Sequence, residues 1–144
     1  MVLDFDGVCT PSAGEFIGSE TALPTIRPEL GSVVRELRAR ETDIVLLSNE
    51  FDRAWISEID GLPEFDHILV GSDNNIFKPD RRAFQRALYV TETEPARCLV
   101  VDDDLANVTV AASIGCQAVH FDTTEVERSW RTLLDVAVGP DDAG

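Results

Sequence analysis

Two carboxylates two positions apart, Asp4 and Asp6, follow the apolar run Met1-Val2-Leu3 and precede Gly7. On a strand, successive side chains alternate faces, so both acids would project from one side of the pleat at its carboxyl end. Like charges held that close raise one of the two pKa values, and a positive group is expected beside them. The chain supplies further polar groups in a definite order: Ser48-Asn49 closing a second apolar run, Lys78 after a third, and Asp102-Asp103 closing a fourth. A carboxylate can attack phosphorus and form an acyl phosphate, splitting one hard displacement into two easier ones. A second acid can protonate the leaving oxygen and later deprotonate water. A hard divalent ion, Mg²⁺ above all, would be held by few carboxylates and several waters and would offset the crowd of acids. A lysine and a hydroxyl would complete a phosphoryl cradle, because this chemistry is catalysed mostly by positioning and electrostatics. Each group alone has a plainer reading as a turn, a helix cap or a surface residue. The case for chemistry is their joint arrival at one edge.

The elements that must carry them can be read from periodicity. Residues 1–6 form a first strand, and 7–27, with Pro11, Gly14, Gly18 and Pro24, form a loop with a small hairpin around 15–18. Pro28 opens a helix over 28–40, with Leu30, Val33, Val34 and Leu37 on one stripe. A strand at 42–47 leads to a helix over roughly 51–60, stopped by Gly61 and Pro63. Strand 67–70 precedes a helix that starts at Pro79 and turns Ala83, Phe84, Ala87 and Leu88 inward. Strand 97–101 precedes a helix marked by Leu105, Val108 and Ala112 and stopped by Gly115. Strand 116–121 and a helix over 124–138 finish the chain. Apolar-run strands alternating with helices predict an α/β fold, a single Rossmann-like domain whose parallel five-stranded sheet has helices on both faces. Ligands bind such sheets outside the carboxyl ends of the strands, where Asp4, Ser48 and Asp102 all fall. One domain is expected over 1–139, with 140–144 as an acidic tail.

Composition narrows the partners. A chain of 144 residues that is 44% hydrophobic can bury about 68–70% of its unfolded surface, enough for one core. The net charge of -15 repels a nucleic-acid backbone. Cys9, Cys98 and Cys116 are odd in number and lack metal-type spacing, which points to a reduced, cytoplasmic setting. No signal-peptide pattern and no bilayer-length apolar run is present, so no membrane partner is expected. Lys78 stands alone among 11 arginines. Cys9 reads as a small buried residue, His67 and His120 as structural residues among apolar neighbours, and Trp55 and Trp130 as members of helix core stripes. No G-x-G-x-x-G follows the first strand, which argues against a nicotinamide enzyme.

Together, D-F-D-G-V at 4–8, L-L-S-N at 46–49, K-P-D at 78–80 and V-V-D-D-D-L-A-N-V at 100–108 make the chain resemble the haloacid dehalogenase-like (HAD) hydrolase superfamily along nearly its whole length. The resemblance implies Asp4 as nucleophile and Asp6 as general acid/base. It implies Ser48, with Asn49, as phosphate ligand and Lys78 as the residue steadying nucleophile and phosphoryl group. It also implies a Mg²⁺ site formed by the carboxylate of Asp4, the main-chain carbonyl of Asp6, and Asp103 with Asp102 in support. In the superfamily the second motif aspartate separates phosphatases from dehalogenases, and Asp6 is present. Asn107 matches a position often polar in the family and equally suits a helix asparagine facing solvent. Cap domains of relatives are inserted after the first or third strand, and neither 7–27 nor 71–77 leaves room for one.

The expected activity is hydrolysis of a small phosphorylated metabolite, with a homo-oligomer covering the open site. The rival readings are a phosphoprotein phosphatase and a catalytically silent interaction protein. A phospho-acceptor signalling module is disfavoured, because its accepting aspartate closes the third strand and its lysine follows the fifth.

Overall fold

Every apolar run becomes a strand, and alternation along each one divides the interior in two. The computed structural model describes residues 1–11, 25–50 and 52–138; the hairpin expected at 15–18 and the acidic tail lie outside them. The strands are β1 (Val2–Asp4), β2 (Val45–Ser48), β3 (His67–Val70), β4 (Leu99–Asp102) and β5 (Gln117–His120). They form one parallel sheet in the order β3-β2-β1-β4-β5. The helices are α1 (Leu30–Ala39), α2 (Arg53–Ser57), α3 (Arg81–Val90), α4 (Leu105–Ser113) and α5 (Val126–Val138). Leu3, Leu46, Val70, Val101 and Val119 point to a core shared with Leu30, Val33, Val34 and Leu37 of α1, Ile56 of α2, and Trp130 and Leu133 of α5. Val2, Val45, Leu47, Leu69 and Val100 point the other way, against Ala83, Phe84 and Ala87 of α3 and Ala111 of α4. Helices thus cover both faces, which is why the strands read as unbroken apolar runs. Each fully buried leucine or phenylalanine contributes about 1.5–3 kcal/mol by leaving water.

Boundaries differ from expectation where side chains or tight turns claim the backbone. β1 stops at Asp4 because the Phe5 carbonyl accepts from the amides of Cys9 (2.9 Å) and Thr10 (3.1 Å), which turns the chain. Asp6 therefore lies beyond the strand, in an isolated bridge to Thr10, and pleat alternation does not govern it. β2 begins three residues late because α1 ends with the amides of Glu41 and Thr42 bonded back to Arg38 and Leu37, with Glu41 at φ 57°. α2 is only five residues long and begins where Asp52 accepts from the amide of Trp55. Trp55 is half-buried and Trp130 fully so. Gly115 has φ +99°, the left-handed conformation expected of a helix stop.

The chain winds outward from β1 to β2 and β3, then returns across the sheet to β4 and β5. Strand order therefore reverses between β1 and β4, the position where open α/β sheets bind ligands. The segment between β3 and α3 holds only a 3₁₀ turn, Gly71–Asp73, and its continuation to Asp80. No described helix is long and apolar enough to cross a membrane.

Candidate active site

Register alone brings two acids together. Val2 pairs with Val100 and Leu3 with Val101, so the next residues, Asp4 and Asp102, stand side by side at the carboxyl edge. Both are buried, at 9% and 1% exposure. Between them lies the single lysine, whose Nζ donates to Asp4 Oδ1 at 2.6 Å and to Asp102 Oδ2 at 2.8 Å.

Lys78 reaches this position because its own backbone is held. Asn49, just past β2, donates from Nδ2 to the Lys78 carbonyl (2.8 Å) and accepts at Oδ1 from the Lys78 amide (2.7 Å). Its carboxamide is thus engaged at both ends, a bracket that nothing in the local sequence announces. Gly71 serves the same segment, since a Cβ there would lie 2.2 Å from the Phe77 ring.

The run Asp102–Asp104 divides its duties. Asp102 Oδ1 accepts from the Asp104 amide (2.9 Å), and its Oδ2 accepts from Asn107 Nδ2 (3.1 Å) as well as from the lysine. Asp104 is exposed and caps α4 by accepting from the Ala106 amide at 2.9 Å. Asp103 turns back toward β1, where Gly7 at φ +94° would, with a Cβ, come within 2.3 Å of Asp103 Oδ2. That glycine is required both by conformation and by space. His120 Nε2 lies 2.9 Å from the Asp103 carbonyl. His120 is exposed, not set among apolar neighbours, and its ring contact is with this acid's backbone. Asn107 is buried at 5% exposure and does not face solvent. Its position is five residues beyond Asp102 and four before buried Ala111, which puts it on the inward face of α4.

Electrostatics follow from this crowding. Burial pushes the Asp4 carboxyl well above its ordinary value; the Lys78 ammonium opposes the shift and Asp102 adds to it. Burial likewise raises Asp103, and the neighbouring Asp102 charge adds to the shift. Burial alone would lower Lys78, but Asp4 and Asp102 overcome it, and the ammonium is held charged. One carboxylate oxygen each from Asp4, Asp102 and Asp103 lie within 4.8 Å of one another. Three acids against one ammonium leave the buried cluster short of positive charge, and an all-oxygen donor set suits a hard divalent cation. The residues present therefore fit a hard divalent cation such as Mg²⁺.

The remaining expected residues lie around this cluster. The Asp6 carboxylate is not among the three grouped acids. Ser48 ends β2 next to β1, and its Oγ donates to the Glu50 carbonyl (2.8 Å) and accepts from the Glu50 amide (3.1 Å). Cys9 is fully buried, and burial pushes its thiol far up. Arg27 was not singled out by sequence. It is buried, donates to the carbonyls of Gly7 (2.9 Å) and Val8 (3.1 Å), and lies 5.3 Å over the Phe121 ring.

Residues 10–115 match the haloacid dehalogenase-like hydrolase family. The chain belongs to that family. The match begins after Asp4 and Asp6, so those two acids enter this haloacid dehalogenase-like hydrolase through their geometry and motif.

A curated relative, mouse acyl-CoA dehydrogenase family member 10, is 29% identical over 102 residues, covering 68% of this chain and 9% of that protein. The chain thus spans a small part of that relative's length. An uncharacterized protein from Corynebacterium glutamicum shares the fold at TM-score 0.74 and 21% identity, covering 94% of this chain and 92% of that one. A HAD family enzyme from Bacteroides thetaiotaomicron, solved with magnesium and inorganic phosphate, aligns at TM-score 0.62 and 19% identity over 71% of this chain and 56% of its own. A 2-haloacid dehalogenase from Pseudomonas syringae aligns at TM-score 0.60 and 21% identity, over 71% and 44%. At these identities the likeness is one of fold, and the fold alone does not separate phosphatase from dehalogenase.

Proposed function

We propose that this HAD-like hydrolase is a Mg²⁺-dependent phosphomonoester hydrolase that acts through an aspartyl phosphate on Asp4, with a small phosphorylated metabolite as substrate. The observation that carries the reading is the Lys78 ammonium bridging Asp4 and Asp102 at 2.6 and 2.8 Å with Asp103 alongside. Asp4 supplies the attacking oxygen, and Lys78 orients that carboxylate and offers positive charge to the phosphoryl oxygens as they gain negative charge. When bound, Mg²⁺ would neutralise phosphoryl charge in the same place. Asp6, just past the turn, gives a proton to the leaving oxygen and takes one from the water that opens the acyl phosphate. Asp102 holds the lysine, and Ser48 at the neighbouring strand end turns its hydroxyl from the Glu50 carbonyl to the phosphoryl group.

Asp6 is the residue that favours phosphoryl over carbon–halogen chemistry, since displacement of halide needs no proton at the leaving atom. A chromogenic phosphomonoester and a phosphometabolite panel, each assayed with Mg²⁺ and with EDTA and set beside a 2-haloacid, test the reading. Metal-dependent phosphate release that falls about 10²–10⁴-fold in Asp6→Asn is expected. Halide release without phosphate release would overturn it. Gel filtration of the same sample tests the accompanying expectation of a homo-oligomer.

A further inference from the structure

At the opposite edge of the sheet, two thiols that the hydrolytic reading does not use lie next to each other. Cys98 immediately precedes β4 and Cys116 immediately precedes β5. The pairing of Leu99 with Gln117, together with the 2.9 Å bond from the Gln117 amide to the Cys98 carbonyl, places them one step earlier in the same register. Neighbouring strands lie about 4.8 Å apart, inside the Cα separation of about 4.4–6.8 Å that a disulfide accepts. Both side chains face the α3/α4 core. Cys98 also lines a cavity of about 360 Å³ that opens among Glu41, Asp43, Glu92, Glu94 and Arg97. Cys9 packs into the other core and is fully buried.

We propose that Cys98 and Cys116 form a redox-active dithiol that a neutral hydroperoxide oxidises to an intramolecular disulfide. The acidic mouth of the cavity disfavours anionic oxidants, including a peptide disulfide that carries carboxylates. Cys98, the thiol that meets the cavity, attacks the peroxide as its thiolate. The O–O bond breaks, the distal group leaves as hydroxide or alkoxide and takes up a proton to become water or alcohol, and Cys98 becomes a sulfenic acid. Cys116 then attacks that sulfur, the S–O bond breaks, and a second water leaves. Two thiols have lost two electrons, and one hydroperoxide has gained them. Burial raises both thiols, Cys116 to about 12, against the opposing pull of the Met1 ammonium, which lines the same cavity, so the reaction is slow at neutral pH and quickens as pH rises.

The test treats the full chain with hydrogen peroxide at several pH values, blocks free thiols after unfolding, and maps the peptides without reduction. A Cys98–Cys116 cross-link with Cys9 still free for alkylation is expected, formed faster at higher pH and reversed by dithiothreitol. In Cys116→Ser, a sulfenic acid should accumulate at Cys98 and be captured by dimedone. Over-oxidation of Cys98 with no cross-link in the parent protein would overturn the proposal, as would a cross-link through Cys9 or between chains. Dimedone capture at Cys116 in Cys98→Ser, with none at Cys98 in the reciprocal variant, would overturn the assigned order of attack. The parent-protein map needs no variant and does not depend on the phosphatase reading.

Discussion

β1 and β4 are adjacent strands that both end in acids, yet they use them in opposite ways. Two of the acids at the end of β4 are committed to the backbone and to neighbouring side chains: Asp102 accepts from the Asp104 amide, Asn107 and Lys78, and Asp104 caps a helix. Asp4, at the end of β1, is held by the Lys78 ammonium and crowded by Asp102 and Asp103, and its carboxyl is pushed up by burial. A buried acid whose lone pairs are satisfied serves as a scaffold, whereas a crowded acid short of counter-charge is poised to bind a cation or attack an electrophile. Asp4 and Asp102 are alike in residue type and both buried, and their partners make the difference.

Substitution can break that contrast, beginning with the largest effect. Asp4→Asn should abolish phosphate release while leaving the thermal midpoint equal to or above that of the parent, because an amide cannot attack phosphorus and one crowded charge is gone. Turnover assays paired with thermal denaturation check both halves, and retained turnover would end the nucleophile assignment. Asp102→Ala should act through stability, costing about 1–3 kcal/mol, because the Asp104 amide, the Asn107 carboxamide and Lys78 Nζ lose the acceptor they share while Lys78 keeps its pairing with Asp4. Urea unfolding measures it, and a loss below about 1 kcal/mol would show that Asp102 is not the scaffold acid.

Gly7→Ala lies where the two runs touch. A left-handed backbone with a side chain costs about 1–2 kcal/mol, and the new methyl must also displace the Asp103 carboxylate. The rise in melting temperature on adding Mg²⁺ should therefore shrink more in this variant than its loss of stability alone accounts for. Asp104→Ala should cost least, about 1 kcal/mol for a lost helix cap, with turnover unchanged. A large loss of activity there would mean that the third acid of the run also belongs to the chemistry.

Much of this arrangement was legible because it depends on local pattern. Unbroken apolar runs specified a sheet covered on both faces, and each polar stop after a run, at Asp4, Ser48 and Asp102, reached the same edge. Lys78 was conspicuous as the only lysine. What escaped were contacts made across long stretches of chain. The Asn49 carboxamide closes on the backbone of a residue 29 positions away, and such a bond has no local signature. Arg27, 20 residues from the carbonyl it meets, was hidden among ten other arginines. Asn107 left a trace, its spacing from Ala111, but a single polar residue on a helix reads equally well as facing outward. The two-residue spacing of Asp4 and Asp6 suits a pleat, yet the Phe5 carbonyl, by accepting two amides, ends the strand before Asp6.

Arg27 and the amide of the same residue, which bonds to the Cys9 carbonyl at 2.8 Å, fasten the chain's return to its departure point within a few ångströms of the site. A stretch of chain pinned at both ends behaves as a closed polymer loop, and doubling its length costs only about 0.6 kcal/mol of closure entropy. With the bonds of Arg27 to Gly7, Val8 and Cys9 setting the closure, added chain length is an entropic cost and passes little strain to Asp4 or Lys78. The clamp thus uncouples the length of the chain between Cys9 and Arg27 from the placement of the acids at the end of β1.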